Sequence, residues 1–261
     1  MSSDRNLKSR VARRLGWVPN LFTLANLWMG FFAILFSFSG MHTLESFRLA
    51  GALILLAALC DGLDGYAARL LDAKSDLGAQ LDSLADLTTF GIAPAALMYS
   101  SVLSGMDRIT EPYVRIPLGM IIAAVYPACA AYRLARFNVT HDDNSFSGLP
   151  SPVAGIIVAL MSITFGETIQ VSPYLLTIVF LLVAFLMVST LKYAKPQVTI
   201  VRRFSKGRLA IVVAFILCAL AFAWIQYGPE FAGAGMLTLI GAYTMSGLVA
   251  FVIHSIQENR M

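Results

Sequence analysis

Runs of about twenty apolar residues with almost no charge dominate this chain, and they restrict it to very few folds. Such a run crosses the hydrocarbon layer of a bilayer, where every backbone amide and carbonyl must find its partner inside the protein. A helix meets that demand within a single segment. Hydrophobic residues make up 58% of the 261 positions and charged residues only 13%, with a mean hydropathy of +0.74, far beyond a soluble domain. The sequence therefore predicts an all-α, polytopic membrane helix bundle of about eight transmembrane helices. Their expected positions are 20–39, 47–69, 79–103, 114–136, 151–166, 172–191, 208–227 and 231–254.

Lys and Arg set the expected orientation, because cytoplasmic loops retain positive charge. With these spans, sixteen of the nineteen basic residues fall on one side, and only Arg48, Arg108 and Arg115 fall on the other. Both termini should then face the cytoplasm. The net charge of +4 is read as this topology signal, with attraction to anionic membrane lipids as a secondary effect, and nothing supports nucleic-acid binding. The first apolar run is too long for a signal-peptide core and is expected to stay as a helix. Residues 1–16, polar and basic, suit a cytoplasmic segment able to lie at the interface as an amphipathic helix.

Six of the fifteen acidic residues lie between Cys60 and Leu87. Asp61 and Asp64 are three apart and Asp82 and Asp86 four apart, so on two helices each pair projects from one face. Gly62, Gly65 and Gly78 are expected to permit close backbone approach around them. A carboxylate near mid-membrane costs about 2.5 to 3.5 kcal/mol, so four together require compensating cations or a wet cavity. Lys74 and Arg69 are too few to pair with all of them, while Asp72 and Asp76 suit surface pairing. Oxygen ligands without His or Cys nearby favour a hard ion such as Mg²⁺ or Mn²⁺. Such ions beside carboxylates at a membrane surface point to phosphate chemistry, with cation transport as the rival reading. Cys60, Cys129 and Cys218 stand singly in apolar sequence and read as packing residues.

The run Asp61-x2-Asp64-Gly65-x2-Ala68-Arg69-x8-Gly78-x3-Asp82-x3-Asp86 resembles the full signature of the CDP-alcohol phosphotransferase family. The resemblance implies a six-helix membrane core, often homodimeric, and a cytoplasmic site in which two Mg²⁺ or Mn²⁺ ions are held by Asp61, Asp64, Asp82 and Asp86. It also makes Asp86 the candidate base. Gly65, Ala68, Arg69 and Gly78, with Asn20 and Thr23, become candidate contacts to a CDP-linked lipid. Tight helix packing is the alternative role for the small residues among them.

Further segments are similar to the serine-using branch of that family: 19–26 (PNLFTLAN), 82–86 (DSLAD), 90–95 (FGIAPA), 132–138 (YRLARFN), 146–152 (FSGLPSP), and Met187-Val188-Ser189 with Tyr193. This likeness implies transfer of a phosphatidyl group from CDP-diacylglycerol to the hydroxyl of L-serine in one displacement, in a bacterial or archaeal cytoplasmic membrane. Arg133 and Arg136, one helical turn apart, are candidate donors to the serine carboxylate, with Asn138 beside them. Their alternative role is to anchor a helix end at the interface. The expected organisation is a family core at 17–196, followed at 197–261 by a basic cytoplasmic loop and two further helices. A sibling enzyme with another acceptor, such as choline, glycerol 3-phosphate or an inositol phosphate, stays open, as does a divalent-cation transporter.

Overall fold

The computed structural model describes residues 17–39, 43–70, 75–106, 117–140, 146–165, 170–190, 192–193 and 222–258. Seven long helices account for nearly all of them: α1 (Val18–Phe38), α2 (Leu44–Leu70), α3 (Asp76–Met106), α4 (Leu118–Thr140), α5 (Ser151–Thr164), α6 (Pro173–Val188) and α7 (Pro229–Glu258). Four of them, α1 to α4, are long and apolar enough to cross a membrane, and α5 and α6 are shorter apolar helices. The molecule is an all-α polytopic membrane protein. The predicted helix at 208–227 lies largely outside the described residues, of which 222–227 are helical. Two short strands, β1 (Phe146–Ser147) and β2 (Lys192–Tyr193), pair antiparallel, Phe146 opposite Tyr193.

Two helices, α2 and α3, start three residues earlier than their apolar patterns suggest, and hydroxyl caps are the reason. At α2 the Ser46 amide donates to Thr43 Oγ1 at 3.3 Å, and at α3 the Gly78 amide donates to Ser75 Oγ at 3.1 Å. Each cap satisfies an otherwise orphaned amide, so helix begins at 44 and 76 instead of 47 and 79. At the other end of α4, helix continues through Thr140, which moves Asn138 out of the predicted loop onto the last turns of a helix.

Close packing between helices depends on small residues, as is usual where no hydrophobic effect drives association within lipid. A Cβ at Gly51 of α2 would stand 2.8 Å from the Ala159 carbonyl of α5, and one at Gly155 of α5 would stand 2.9 Å from Phe90 of α3. Around these contacts Ala33, Ala50, Ile54, Phe90, Leu97 and Ala159 form one apolar core. A second core joins α3, α4, α5 and α6, with Tyr126 and Phe180 stacked at 4.8 Å between ring centroids. At the far end of α2, Arg48 pairs with Glu230 and ties in the start of α7.

Helix α3 is not regular. Immediately after Asp86 it widens into a π-helical turn over Leu87–Ile92, where the Ala93 amide donates to the Thr88 carbonyl five residues back. A second wide turn covers Tyr99–Leu103. Turns of this kind recur beside functional sites, and here the first one separates the aspartates from the apolar remainder of the helix.

Candidate functional site

Four helix ends meet at one end of the bundle: the start of α1, the end of α2, the start of α3 and the end of α4. The carboxylates of Asp61 and Asp64 on α2 and Asp82 on α3 each offer an oxygen, and these atoms lie within 4.8 Å of one another. Asp86, one turn further along α3, is within hydrogen-bonding reach of Asp61 and is more deeply buried than Asp61 or Asp82. The structure thus brings all four predicted aspartates together, three in a compact group and the fourth behind them.

The donor set fits a hard cation. Every candidate ligand is a carboxylate oxygen, and Asp82 Oδ1 is buried with no hydrogen-bond partner among the described residues. A buried, unpaired carboxylate oxygen is costly. A divalent cation would satisfy it.

Helix α1 supplies the nearest polar contacts. Thr23 Oγ1 donates to Asp64 Oδ2 at 2.9 Å, so this hydroxyl faces an aspartate, although sequence reasoning made it a lipid contact. Asn26 Nδ2 donates to Asp86 Oδ1 at 3.4 Å. Asn26 was not among the predicted site residues. Its spacing of three from Thr23, which places both on one helical face, was the available signal. Asn20 lies beside α3, its Oδ1 at 3.3 Å from where a Gly78 Cβ would stand.

Of the predicted small residues, Gly78 is crowded by Asn20 and Ser75, whereas a Cβ at Gly62 or Gly65 would meet no described residue within 4 Å. Neither Gly62 nor Gly65 is therefore packed tightly against another described residue. Ala68 and Arg69 fall on the last turn of α2, with side chains outside what the structure describes.

The α4 residues divide. Arg133, 8% exposed, donates to Ser151 Oγ at the start of α5 and is close enough to Asp86 and Asp61 to interact with their charges. Arg136 instead donates to the Val188 carbonyl at 2.9 Å and the Ser189 carbonyl at 3.3 Å, at the end of α6, and lies over the Tyr132 ring. The expected fork of two arginines is therefore split between different partners. Gly148, at φ +86, fits where a Cβ would stand 2.3 Å from the Met187 carbonyl and 3.1 Å from the Arg136 guanidinium. Only glycine suits that combination. Asn138 Nδ2 donates to Ser83 Oγ at 3.0 Å, bridging α4 to α3 next to Asp82. An apolar cavity of about 560 Å³ between α2, α3, α5 and α6 lies at the opposite end of the bundle, lined in part by Phe47, Leu97 and Met161. No carboxylate lines it among the described residues.

Carboxylates converge here from two membrane helices, with hydroxyl and amide donors behind them, and their oxygens form a group that could hold a metal ion. A family model for CDP-alcohol phosphatidyltransferase matches residues 16–190; the chain belongs to that family and is an enzyme. Among curated proteins, it is 32% identical over 222 residues to the CDP-diacylglycerol–serine O-phosphatidyltransferase of Mycobacterium tuberculosis, covering 80% of this chain and 71% of that one. Proteins of the same description from Bacillus subtilis and Methanocaldococcus jannaschii are 34% and 32% identical. The Bacillus match covers 69% of this chain and 90% of its relative, and the Methanocaldococcus match 92% and 96%.

Proposed function

We propose that the protein transfers the phosphatidyl group of CDP-diacylglycerol to the hydroxyl of L-serine, giving phosphatidylserine and CMP. The observation that carries the reading is the convergence of Asp61, Asp64, Asp82 and Asp86 from two helices, in a chain whose mycobacterial, Bacillus and Methanocaldococcus relatives carry the serine-transferase description. Two divalent ions, Mg²⁺ or Mn²⁺, bound by these carboxylates would neutralise the diphosphate and the charge that builds on departing CMP.

The chain's own residues do the rest. Asp86 receives the proton of the serine hydroxyl as the new oxygen–phosphorus bond forms and the bond from phosphorus to the CMP oxygen breaks. Its burial and its contact with Asn26 hold it in one orientation. Arg133, charged and close to Asp86, is suited to the serine carboxylate through those guanidinium donors not used on Ser151. Gly65 leaves room for ligand approach at the end of α2. Asn20, Ala68, Arg69 and Gly78 surround the CDP side of the donor lipid.

The reading includes a homodimer in a bacterial or archaeal cytoplasmic membrane, with the site and both termini on the cytoplasmic face. The bias of sixteen of nineteen basic residues towards that side supports the orientation. Purified protein supplied with CDP-diacylglycerol and Mn²⁺ or Mg²⁺, and offered serine, choline and glycerol 3-phosphate in parallel, tests the proposal. CMP release and a new lipid are expected with serine alone. Turnover with glycerol 3-phosphate and none with serine would reassign the acceptor, and undiminished turnover in EDTA would reject the metal.

A further inference from the structure

Helix α1 brings neither carboxylate nor cation to the site, yet two of its side chains reach aspartates on two other helices. Thr23 and Asn26 are 3% and 0% exposed. Thr23 serves Asp64 of α2 at 2.9 Å, and Asn26 serves Asp86 of α3 at 3.4 Å. The Thr23 hydroxyl has one proton and two acceptors in reach, the Pro19 carbonyl at 3.1 Å being the other. The carboxylate contact is shorter and charge-assisted, so it takes the proton. At Asn26 the NH₂ group faces Asp86 Oδ1 and donates to it.

Two features show that Asn26 is held for this contact. Its Oδ1 is buried without a partner among the described residues, a cost that an apolar side chain of similar size would avoid. Its backbone is also locked in place: Thr89 Oγ1 donates to the Asn26 carbonyl at 3.0 Å, and a Cβ at Gly30 would stand 2.3 Å from that same Thr89 oxygen. The crossing of α1 and α3 is thus fixed one turn from the Asp86 contact. The Thr23 hydroxyl engages Oδ2 of Asp64 and the Asn26 amide Oδ1 of Asp86, so each carboxylate is held from the α1 side of the cluster.

Building on the reading of the aspartates as a divalent-cation site, we propose that Thr23 and Asn26 are paired positioning residues. They set the Asp64 and Asp86 carboxylates at the mutual placement a divalent cation needs, and make α1 the element that couples the two ligand-bearing helices. Hydrogen-bond partners of metal ligands typically change metal affinity by about 10–100-fold when removed.

The test is Mn²⁺ binding to the purified full-length protein, followed by electron paramagnetic resonance without substrate, alongside thermal unfolding. Thr23→Val and Asn26→Leu keep side-chain size and lose the donor. Each is expected to weaken Mn²⁺ binding by about tenfold to a hundredfold, while Thr23→Ser, which keeps the hydroxyl, restores it. The loss should also be specific: Thr23→Val adds nothing in an Asp64→Asn background, and Asn26→Leu adds nothing in Asp86→Asn. Should Asn26→Leu yield no folded protein, Asn26→Ala, which also lacks a side-chain donor, carries the same expectation. A wild type that binds no Mn²⁺ would reject the cation site itself. A wild type that binds, with both variants binding equally well and only their unfolding temperatures lowered, would overturn the positioning role and leave the cation site standing.

Discussion

Helices α1 and α4 both carry polar residues at the aspartate end of the bundle, and they use them differently. On α1, Thr23 and Asn26 donate directly to carboxylates. On α4 the more strongly charged groups are turned mostly to the scaffold, Arg133 to Ser151 and Arg136 to the carbonyls that end α6. The modest residues touch the site, and one of the two arginines holds the frame around it. A guanidinium near a binding site is informative only once its partners are known, because five donors in a fixed fork will take any carbonyls they can reach.

The largest effect should come from the cluster against which both helices are measured. Asp82→Asn preserves size and removes a charged ligand, and its rate of CMP release is expected to fall at least about a hundredfold with the protein still folded by circular dichroism. A near-normal rate would mean that α1 is arranging groups of no chemical consequence.

Next comes Arg133. Replacement by Lys replaces a planar fork with a point charge, and loss of one charge-assisted hydrogen bond, about 1.5 to 3 kcal/mol, predicts a serine KM raised roughly tenfold to a hundredfold. Affinity for the CDP-lipid should change far less, which initial-rate kinetics with each substrate varied in turn would reveal.

Gly30→Ala tests the α1 side of the comparison without touching a polar atom. The added methyl meets Thr89, so α1 and α3 must separate, at a cost of about 1 to 3 kcal/mol. A lower unfolding temperature together with weaker Mn²⁺ binding is expected. A stability loss alone would show that the site tolerates the shift.

Arg136→Lys should have the smallest catalytic consequence. It gives up part of a clamp on two carbonyls, about 1 kcal/mol, and is expected to lower thermal stability while leaving the serine KM unchanged. A raised serine KM here, of the size expected for Arg133, would erase the distinction between the two arginines and restore the paired fork.

Much of this was legible in the sequence. The apolar runs required membrane helices, and i, i+3 and i, i+4 spacing placed each aspartate pair on one face, as found for Asp61 with Asp64 and for Asp82 with Asp86. Helix starts were less legible, since the apolar pattern does not register the hydroxyl caps at Thr43 and Ser75. The π-helical turn after Asp86 left no local signature beyond a glycine and a proline in an apolar stretch.

Periodicity and charge are properties of one segment at a time, so the sequence by itself determined the membrane class, the helical faces and the identity of the carboxylates. Partnership is a property of two segments, and only the tertiary structure decided it. Which aspartate each α1 donor serves, why Arg136 faces carbonyls while Arg133 stays near Asp86, and how close α1 and α3 approach all depend on contacts between residues far apart in the chain. Asn26 and Asp86 are separated by sixty residues; Arg136 and Val188 by fifty-two. A hydrogen bond needs its atoms within about 3 Å, and only the packed bundle sets distances on that scale between separate helices.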